Sequence, residues 1–273
     1  MILVTSIIAV LGMILLPILL GFWLTRKFKL SWKLFFAGAL TFIVSQVFHI
    51  PFLAWLTAMF NNGTLPTPPA VWNTIFNAVL LGLLAGLFEE TARYILFKFF
   101  LKNARTWNEG VLVGAGHGGV EALILGVLGV FTVINMVVMR NVDLSTLGIP
   151  ADQLTLAKQQ VDAFWASPAY MGLLGLAERV FAICLHISLS VMVLYSVAYK
   201  KPLWFWLAML WHALVDAAAV YLLPIIGAVG VEGVVAVMAL VSLAILLGLR
   251  SKFVPLNQPQ VTDEAQAGGQ LPV

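Results

Sequence analysis

The sequence predicts an all-α membrane protein, a polytopic bundle of about seven transmembrane helices. Hydrophobic residues make up 62% of the 273 residues and charged residues only 10%, whereas about a quarter of the residues in a soluble domain are charged. The hydrophobic residues also form long runs, and a helix needs about 20 such residues to cross a bilayer. The runs of this length are residues 2–24, 34–60, 72–100, 110–139, 170–199, 203–223 and 228–249.

The first run and the segments between runs have distinct patterns. Run 2–24 lacks a basic start and a small-residue cleavage site, so we expect an anchor and not a removable signal peptide. Segment 61–70 contains three prolines and predicts a turn-rich loop. Segment 151–165 follows Pro150 and predicts an amphipathic helix at the membrane surface. Its apolar stripe is Leu154, Ala157, Val161, Phe164 and Trp165.

The positions of the basic residues predict the orientation. Eleven of the 15 lysines and arginines follow the first, third, fifth and seventh runs. Because basic residues concentrate on the cytoplasmic side, the N-terminus is expected outside. We therefore assign residues 1–254 to one transmembrane domain, and the polar residues 255–273 to a disordered cytoplasmic tail.

Three of the predicted membrane segments contain charged residues and histidines. These are EETAR at residues 89–93, HGGVE at 117–121 and HALVD at 212–216. A charged side chain at the centre of a spanning helix costs about 2.5–3.5 kcal/mol on insertion scales, so such residues indicate a functional site. The sequence therefore predicts chemistry inside the membrane.

The polar residues are expected to lie in one layer. Glu89 is nine residues from the cytoplasmic Lys98, His212 is nine from Leu203, and His186 is fourteen from Lys200. With a rise of 1.5 Å per residue, these groups and His117 lie roughly 12–21 Å below the cytoplasmic face. Four helices thus contribute to a single predicted site, which we expect water to reach chiefly from the cytoplasm, beside Val113.

The spacing within each motif suggests ion pairing and metal binding. Glu90 and Arg93 are three residues apart, so the arginine can pair with one carboxylate while Glu89 stays free. In each of the other two motifs, 117–121 and 212–216, the histidine and the carboxylate are four residues apart, which places two potential ligands on one helical face. Imidazole nitrogens and carboxylate oxygens are the ligands of catalytic zinc. Zn²⁺ is favoured over iron or copper because no thiolate or methionine pairing is needed.

Two further segments contribute polar residues near this layer. Glu178 and Arg179 lie in the same run as His186, and Arg179 shares its helical face. In the second run, Ser45, Gln46 and His49 share a face. For His49 and Glu178, a hydrogen-bonded role between helices is an open alternative.

The order of these motifs resembles a known family. EExxR, HGGxE, ER followed by a histidine, and HxxxD occur in this order between residues 45 and 216. They resemble the YhfC-type intramembrane metalloproteases, within the wider group of type II CAAX prenyl proteases and PrsW-like proteases. The resemblance to the CAAX group is partial, since two residues and not three separate Glu90 from Arg93, and Glu121 stands where that group has FxxxH.

The resemblance implies specific roles. Glu89 would be the general base or a ligand, with Glu90 held by Arg93. The implied metal ligands are Glu121, His186 and His212. Further ligands or orienting residues would be His117, Asp216, His49, Glu178 and Arg179.

The predicted function is hydrolysis of a peptide bond near the cytoplasmic side of the membrane, by a water activated by a metal, a carboxylate or both. The expected partners are a membrane-embedded or membrane-adjacent peptide and the lipid bilayer, without nucleic acid, and the expected location is a plasma membrane of the bacterial type. Three alternatives remain open: a noncatalytic scaffold, a proton- or cation-coupled transporter, and a cytochrome with two imidazoles facing one haem.

Overall fold

The computed structural model describes residues 1–148 and 150–253, and these residues form helices and turns without a β-strand. The predicted disordered tail, 255–273, lies outside the described residues. The α-helices are α1 (Ile2–Phe28), α2 (Trp32–Asn61), α3 (Asn73–Ile95), α4 (Trp107–Asn141), α5 (Ala151–Ala166), α6 (Leu174–Ala198) and α7 (Leu203–Arg250). Shorter 3₁₀ turns precede α3 and α6, and a π-helical turn, Leu96–Phe100, extends α3.

Six of the helices are long and apolar enough to cross a membrane, so the chain is an integral, multi-pass membrane protein. The last of them, α7, has 48 residues but is not straight, because Gly227 has φ 70° and ψ 172°. Trp211 Nε1 donates to Ser242 Oγ across 2.9 Å. In a straight helix these residues would lie about 46 Å apart, so the arms 203–226 and 228–250 must run side by side. The arms correspond to the last two predicted runs, whereas the N-terminal orientation stays a prediction.

Five helices surround the centre of the bundle. Helix α2 packs on α4, α4 on α6, α6 on α7, and α3 lies between α7 and α2. Helix α1 packs on the outside of α4. The ring explains how polar residues from five helices can meet away from lipid.

Helices α2 and α4 approach each other closely because glycines face the partner backbone. A Cβ on Gly38 would lie 1.9 Å from the carbonyl oxygen of Val113, and a Cβ on Gly116 would lie 1.9 Å from that of Phe35. A side chain at either position would therefore force the helices apart. This contact places α2 beside the histidine of α4.

One end of the bundle, here called the basic end, contains the turns with most of the lysines and arginines. Arg250 lies over the ring of Trp107, and Phe28 packs on the same ring, which brings the ends of α7 and α1 to the start of α4. Between this end and the polar motifs lies a buried apolar layer, which we call the basal core. The basal core consists of Phe97, Leu112, Val113, Leu189 and Val193, each fully buried.

The predicted amphipathic helix is confirmed as α5. Its predicted apolar stripe is the less exposed side of the helix, and Val161 is buried. Trp165 Nε1 donates to the carbonyl of Met136 across 3.1 Å, while the guanidinium of Arg140 lies 4.2 Å from the centre of the Trp165 ring. Helix α5 is therefore held against the far end of α4, away from the basic end.

Candidate functional site

Helix α3 carries an acidic pair and an arginine into the centre of the ring. Glu90 and Arg93 are fully buried and Glu89 nearly so. Arg93 donates to Glu90, which confirms the predicted pairing. Its other terminal nitrogen, Nη2, lies 2.7 Å from His186 Nδ1 and 3.7 Å from Glu89 Oε2. Arg93 therefore contacts both carboxylates, offsets part of their charge and contacts a histidine of α6.

His212 is oriented by Glu90. Its Nδ1 lies 2.8 Å from Glu90 Oε1. A carboxylate at this position accepts, so the proton of a neutral imidazole lies on Nδ1. The lone pair on Nε2 then faces Glu89 Oε2 at 3.9 Å and Asp216 Oδ2 at 3.5 Å. This is the arrangement in which an outer carboxylate fixes the tautomer of a metal-binding histidine.

His117 is oriented by a hydroxyl group. Its Nδ1 lies 2.8 Å from Thr41 Oγ1, and the same oxygen lies 2.6 Å from the carbonyl oxygen of Gly38. His117 Nε2 lies 2.9 Å from Glu89 Oε2. A carboxylate only accepts, so the proton of a neutral imidazole lies on Nε2 and forms the bond to Glu89, while Nδ1 can accept from the Thr41 hydroxyl.

His186 lies between the other two histidines, with ring centres 5.1 Å from His117 and 5.4 Å from His212. Since arginine only donates, His186 Nδ1 accepts from Arg93. Its Nε2 then donates to Glu121 Oε2 across 2.6 Å. Arg179 donates to the other oxygen of Glu121, also across 2.6 Å, and to Glu178.

Three buried residues form a group that could hold a metal ion. Glu89, His186 and His212 each offer one ligand atom, and these atoms lie within 4.8 Å of one another. One carboxylate and two imidazoles make up the donor set of many catalytic zinc sites. The Nε2 lone pair of His212 is available, and His186 would exchange the N–H of Arg93 for the metal. The residues present therefore fit a divalent metal.

The structure brings the predicted site residues together. Glu121 contacts His186 but is not a member of the three-residue group, and its role as a ligand stays a prediction. Asp216 lies beside His212, while Glu178 is 44% exposed. The ring of His49 stacks on Phe88 with centres 5.2 Å apart. Among the described residues, neither ring nitrogen of His49 has a hydrogen-bond partner.

The role of Thr41 was not predicted from the sequence. The spacing offered a signal, since Thr41, Ser45 and His49 are each one turn apart on α2. Gln46 was predicted on the face of Ser45 and His49, but without a partner. Gln46 Nε2 donates to Glu89 Oε1 across 3.1 Å, so α2 contacts the acidic pair directly.

The expected water path beside Val113 is wrong, because Val113 is 0% exposed and belongs to the basal core. A cavity of about 90 Å³ lies instead between α6 and the two arms of α7. Glu89, His186 and His212 line it, as do Glu178 and Asp216.

Comparisons with known proteins agree with the motif order. The family model described as YhfC intramembrane metalloprotease matches residues 12–244. The uncharacterized membrane protein YhfC of Bacillus subtilis (strain 168) is 35% identical over 208 residues, which covers 76% of this chain and 79% of the relative. No solved structure matches.

Proposed function

The chain belongs to the YhfC intramembrane metalloprotease family, and on that premise we propose that it is a metal-dependent endopeptidase that cuts a peptide within or next to the membrane. The observation that carries this proposal is the buried group of Glu89, His186 and His212, which offers three ligand atoms within 4.8 Å of one another. We propose Zn²⁺ as the metal. When bound, it would polarise the scissile carbonyl and lower the proton affinity of a bound water.

The residues around this group are suited to hydrolysis. Glu90 and Arg93 hold His212 in the tautomer that presents Nε2. His117 lies within hydrogen-bond distance of Glu89 and can donate Nε2–H to it. That bond stabilises the ionised Glu89 carboxylate, which can accept a proton from the attacking water and pass it to the leaving amine. Glu89 could instead serve as a metal ligand, and its glutamine variant distinguishes the two roles.

The proposed substrate is a peptide segment embedded in the bilayer or next to it, in a bacterial-type plasma membrane. With the N-terminus outside, the basic end faces the cytoplasm. The polar layer lies about 12–21 Å from that end by helix rise. The scissile bond would then lie in the membrane-embedded part of the substrate, towards the cytoplasmic side. The wider kinship with CAAX and PrsW-like proteases is part of the same proposal.

Metal content tests the proposal directly. Detergent-purified wild type should contain zinc, and His212→Ala should lose most of it together with cleavage of membrane-anchored test peptides. His49→Ala is the matched control, because His49 lies outside the three-residue group and should leave zinc bound. Zinc bound without cleavage would support the noncatalytic scaffold instead. Absence of every divalent metal from the wild type, even after reconstitution, would refute metal-dependent hydrolysis, and an absorbance spectrum of the same sample would reveal haem.

A further inference from the structure

The cavity between α6 and α7 connects the candidate metal centre to half-exposed carboxylates. Its inner wall includes Glu89, His186 and His212. Its outer wall includes Glu178, whose side chain is 44% exposed, and Asp216, whose side chain is 37% exposed. We call this cavity the α6–α7 channel. The three candidate ligand residues and the two carboxylates thus line the same cavity, and we call the side with the carboxylates its mouth.

The mouth lies on the side of the centre away from the basic end. Along α6, Glu178 precedes His186 by eight residues, which is about 12 Å further from the basic end. Along the first arm of α7, Asp216 and Ala219 follow His212 by four and seven residues, about 6 and 10 Å in the same direction. Both helices therefore place the mouth towards the end that carries loop 61–70.

The other direction is closed by the basal core. Leu112 and Val113 on α4 and Leu189 on α6 lie between the centre and the basic end, and all three are 0% exposed. Close-packed apolar side chains leave no room for a column of water. Water that enters from the basic end would have to displace this layer.

The size and charge of the channel define what it can pass. A volume of about 90 Å³ holds a few water molecules. An α-helix is about 10 Å across, so a helical peptide is too large to enter the channel. Among the described residues that line the cavity beyond the centre are three carboxylates and one cation, Arg179. The carboxylates are Glu121, Glu178 and Asp216, and Arg179 pairs with the first two. The net charge of the lining beyond the centre is therefore negative, which favours a divalent cation over an anion.

We propose that the α6–α7 channel is the route by which water and the divalent metal reach the centre, and that it opens towards the end of the bundle opposite the basic turns. The metal part of this inference rests on the proposed function. The water part rests on the cavity and the basal core alone.

Cysteine accessibility in sealed vesicles tests the direction. In a Cys184→Ala background, we would place single cysteines at Ala219 in the channel and at Val113 in the basal core. Asn62→Cys and Lys200→Cys, both at exposed positions, mark the two faces. A membrane-impermeant methanethiosulfonate reagent should label Ala219→Cys from the same face as Asn62→Cys, and Val113→Cys from neither. Labelling of Ala219→Cys from the Lys200 face would overturn the route, and so would labelling from neither face while Asn62→Cys reacts. Ala182→Cys provides a second channel position if Ala219→Cys does not fold.

Zinc uptake tests the passage of metal. After chelation, uptake by full-length protein would be followed with a fluorescent zinc indicator. Glu178→Gln should slow uptake by about tenfold at low salt, because it removes attraction at the mouth, while the final stoichiometry stays unchanged. Asp162→Asn, on the exposed side of α5, is the matched control. An unchanged uptake rate would refute the metal route. If the protein binds zinc but Ala219→Cys does not react, the channel is refuted and the proposed function stands. If Ala219→Cys reacts but the protein does not bind zinc, the proposed function is refuted and the water route stands.

Discussion

His117 Nε2 lies 2.9 Å from Glu89 Oε2, and the opposite nitrogen of the same ring lies 2.8 Å from the hydroxyl of Thr41. Because a carboxylate only accepts, the imidazole donates to Glu89, and its opposite nitrogen can accept from the hydroxyl. The pair has the components of an acid–base couple: a carboxylate, an imidazole and one mobile proton. Its orientation depends on a hydroxyl on a neighbouring helix, outside the motifs at 89–93, 117–121 and 212–216.

Replacement of Thr41 by valine tests that orientation. Thr41→Val keeps the volume but removes the hydrogen-bond partner of His117 Nδ1, and a buried unsatisfied polar group costs about 1–3 kcal/mol. Loss of an outer-sphere partner of this kind typically lowers activity or metal affinity by about 10–100-fold. Peptide cleavage and zinc affinity of the purified variant measure this effect.

Two controls accompany this change. Thr41→Ser should restore activity because it keeps the hydroxyl, and Thr132→Val should behave as wild type because Thr132 is exposed and bonds only within its own helix. Equal activity in Thr41→Val and wild type would show that His117 does not need a fixed tautomer.

The division of roles within the acidic pair gives a second prediction. Arg93→Ala should lower folded yield and thermal stability, since removal of one partner of a buried ion pair typically costs about 3–5 kcal/mol. Glu89→Gln should fold nearly as well as wild type, because an amide can still bond His117, but should lose peptide cleavage. Zinc retained in Glu89→Gln would assign Glu89 as the base, and zinc lost would assign it as a ligand. Equal thermal stability of the two variants would contradict this assignment of roles.

The close contact between α2 and α4 gives a third prediction. Gly38→Ala places a Cβ against the carbonyl of Val113. Overpacking of this kind costs about 1–3 kcal/mol, and the displaced α2 should also weaken the bond between His117 and Thr41. Thermal unfolding and cleavage assays should both report a loss. Gly233→Ala is the control, because no atom lies within 4 Å of the added Cβ and alanine has the higher helix propensity, so this variant should be at least as stable as wild type. Similar losses in both variants would show that packing against α4 is not responsible.

The sequence predicted the helices, the shared layer and the pairing of Glu90 with Arg93, because hydrophobic run length and the period of the helix determine these features. It could not predict the partners of each imidazole. Which nitrogen faces which oxygen depends on the rotation and contact of neighbouring helices, as the Thr41–His117 bond illustrates.

The expected access path failed for a related reason. Val113 is one turn from His117 on the side of the basic residues, and helix rise alone places it near water. The structure buries it because α4, α6 and the π-helical turn after α3 pack there. Depth along a helix can be counted from the sequence, whereas packing density around it cannot.

The unpartnered imidazole of His49 gives the last prediction. His49 stacks on Phe88, and both its nitrogens are buried without a hydrogen-bond partner in the described part of the chain. A phenylalanine keeps the stack and removes the unsatisfied nitrogens, whose burial costs about 1–3 kcal/mol. His49→Phe should therefore be at least as stable as wild type in thermal unfolding. If His49 contributes to the site, the same variant should cleave more slowly with zinc still bound. A more stable variant with full activity would assign His49 to helix packing alone.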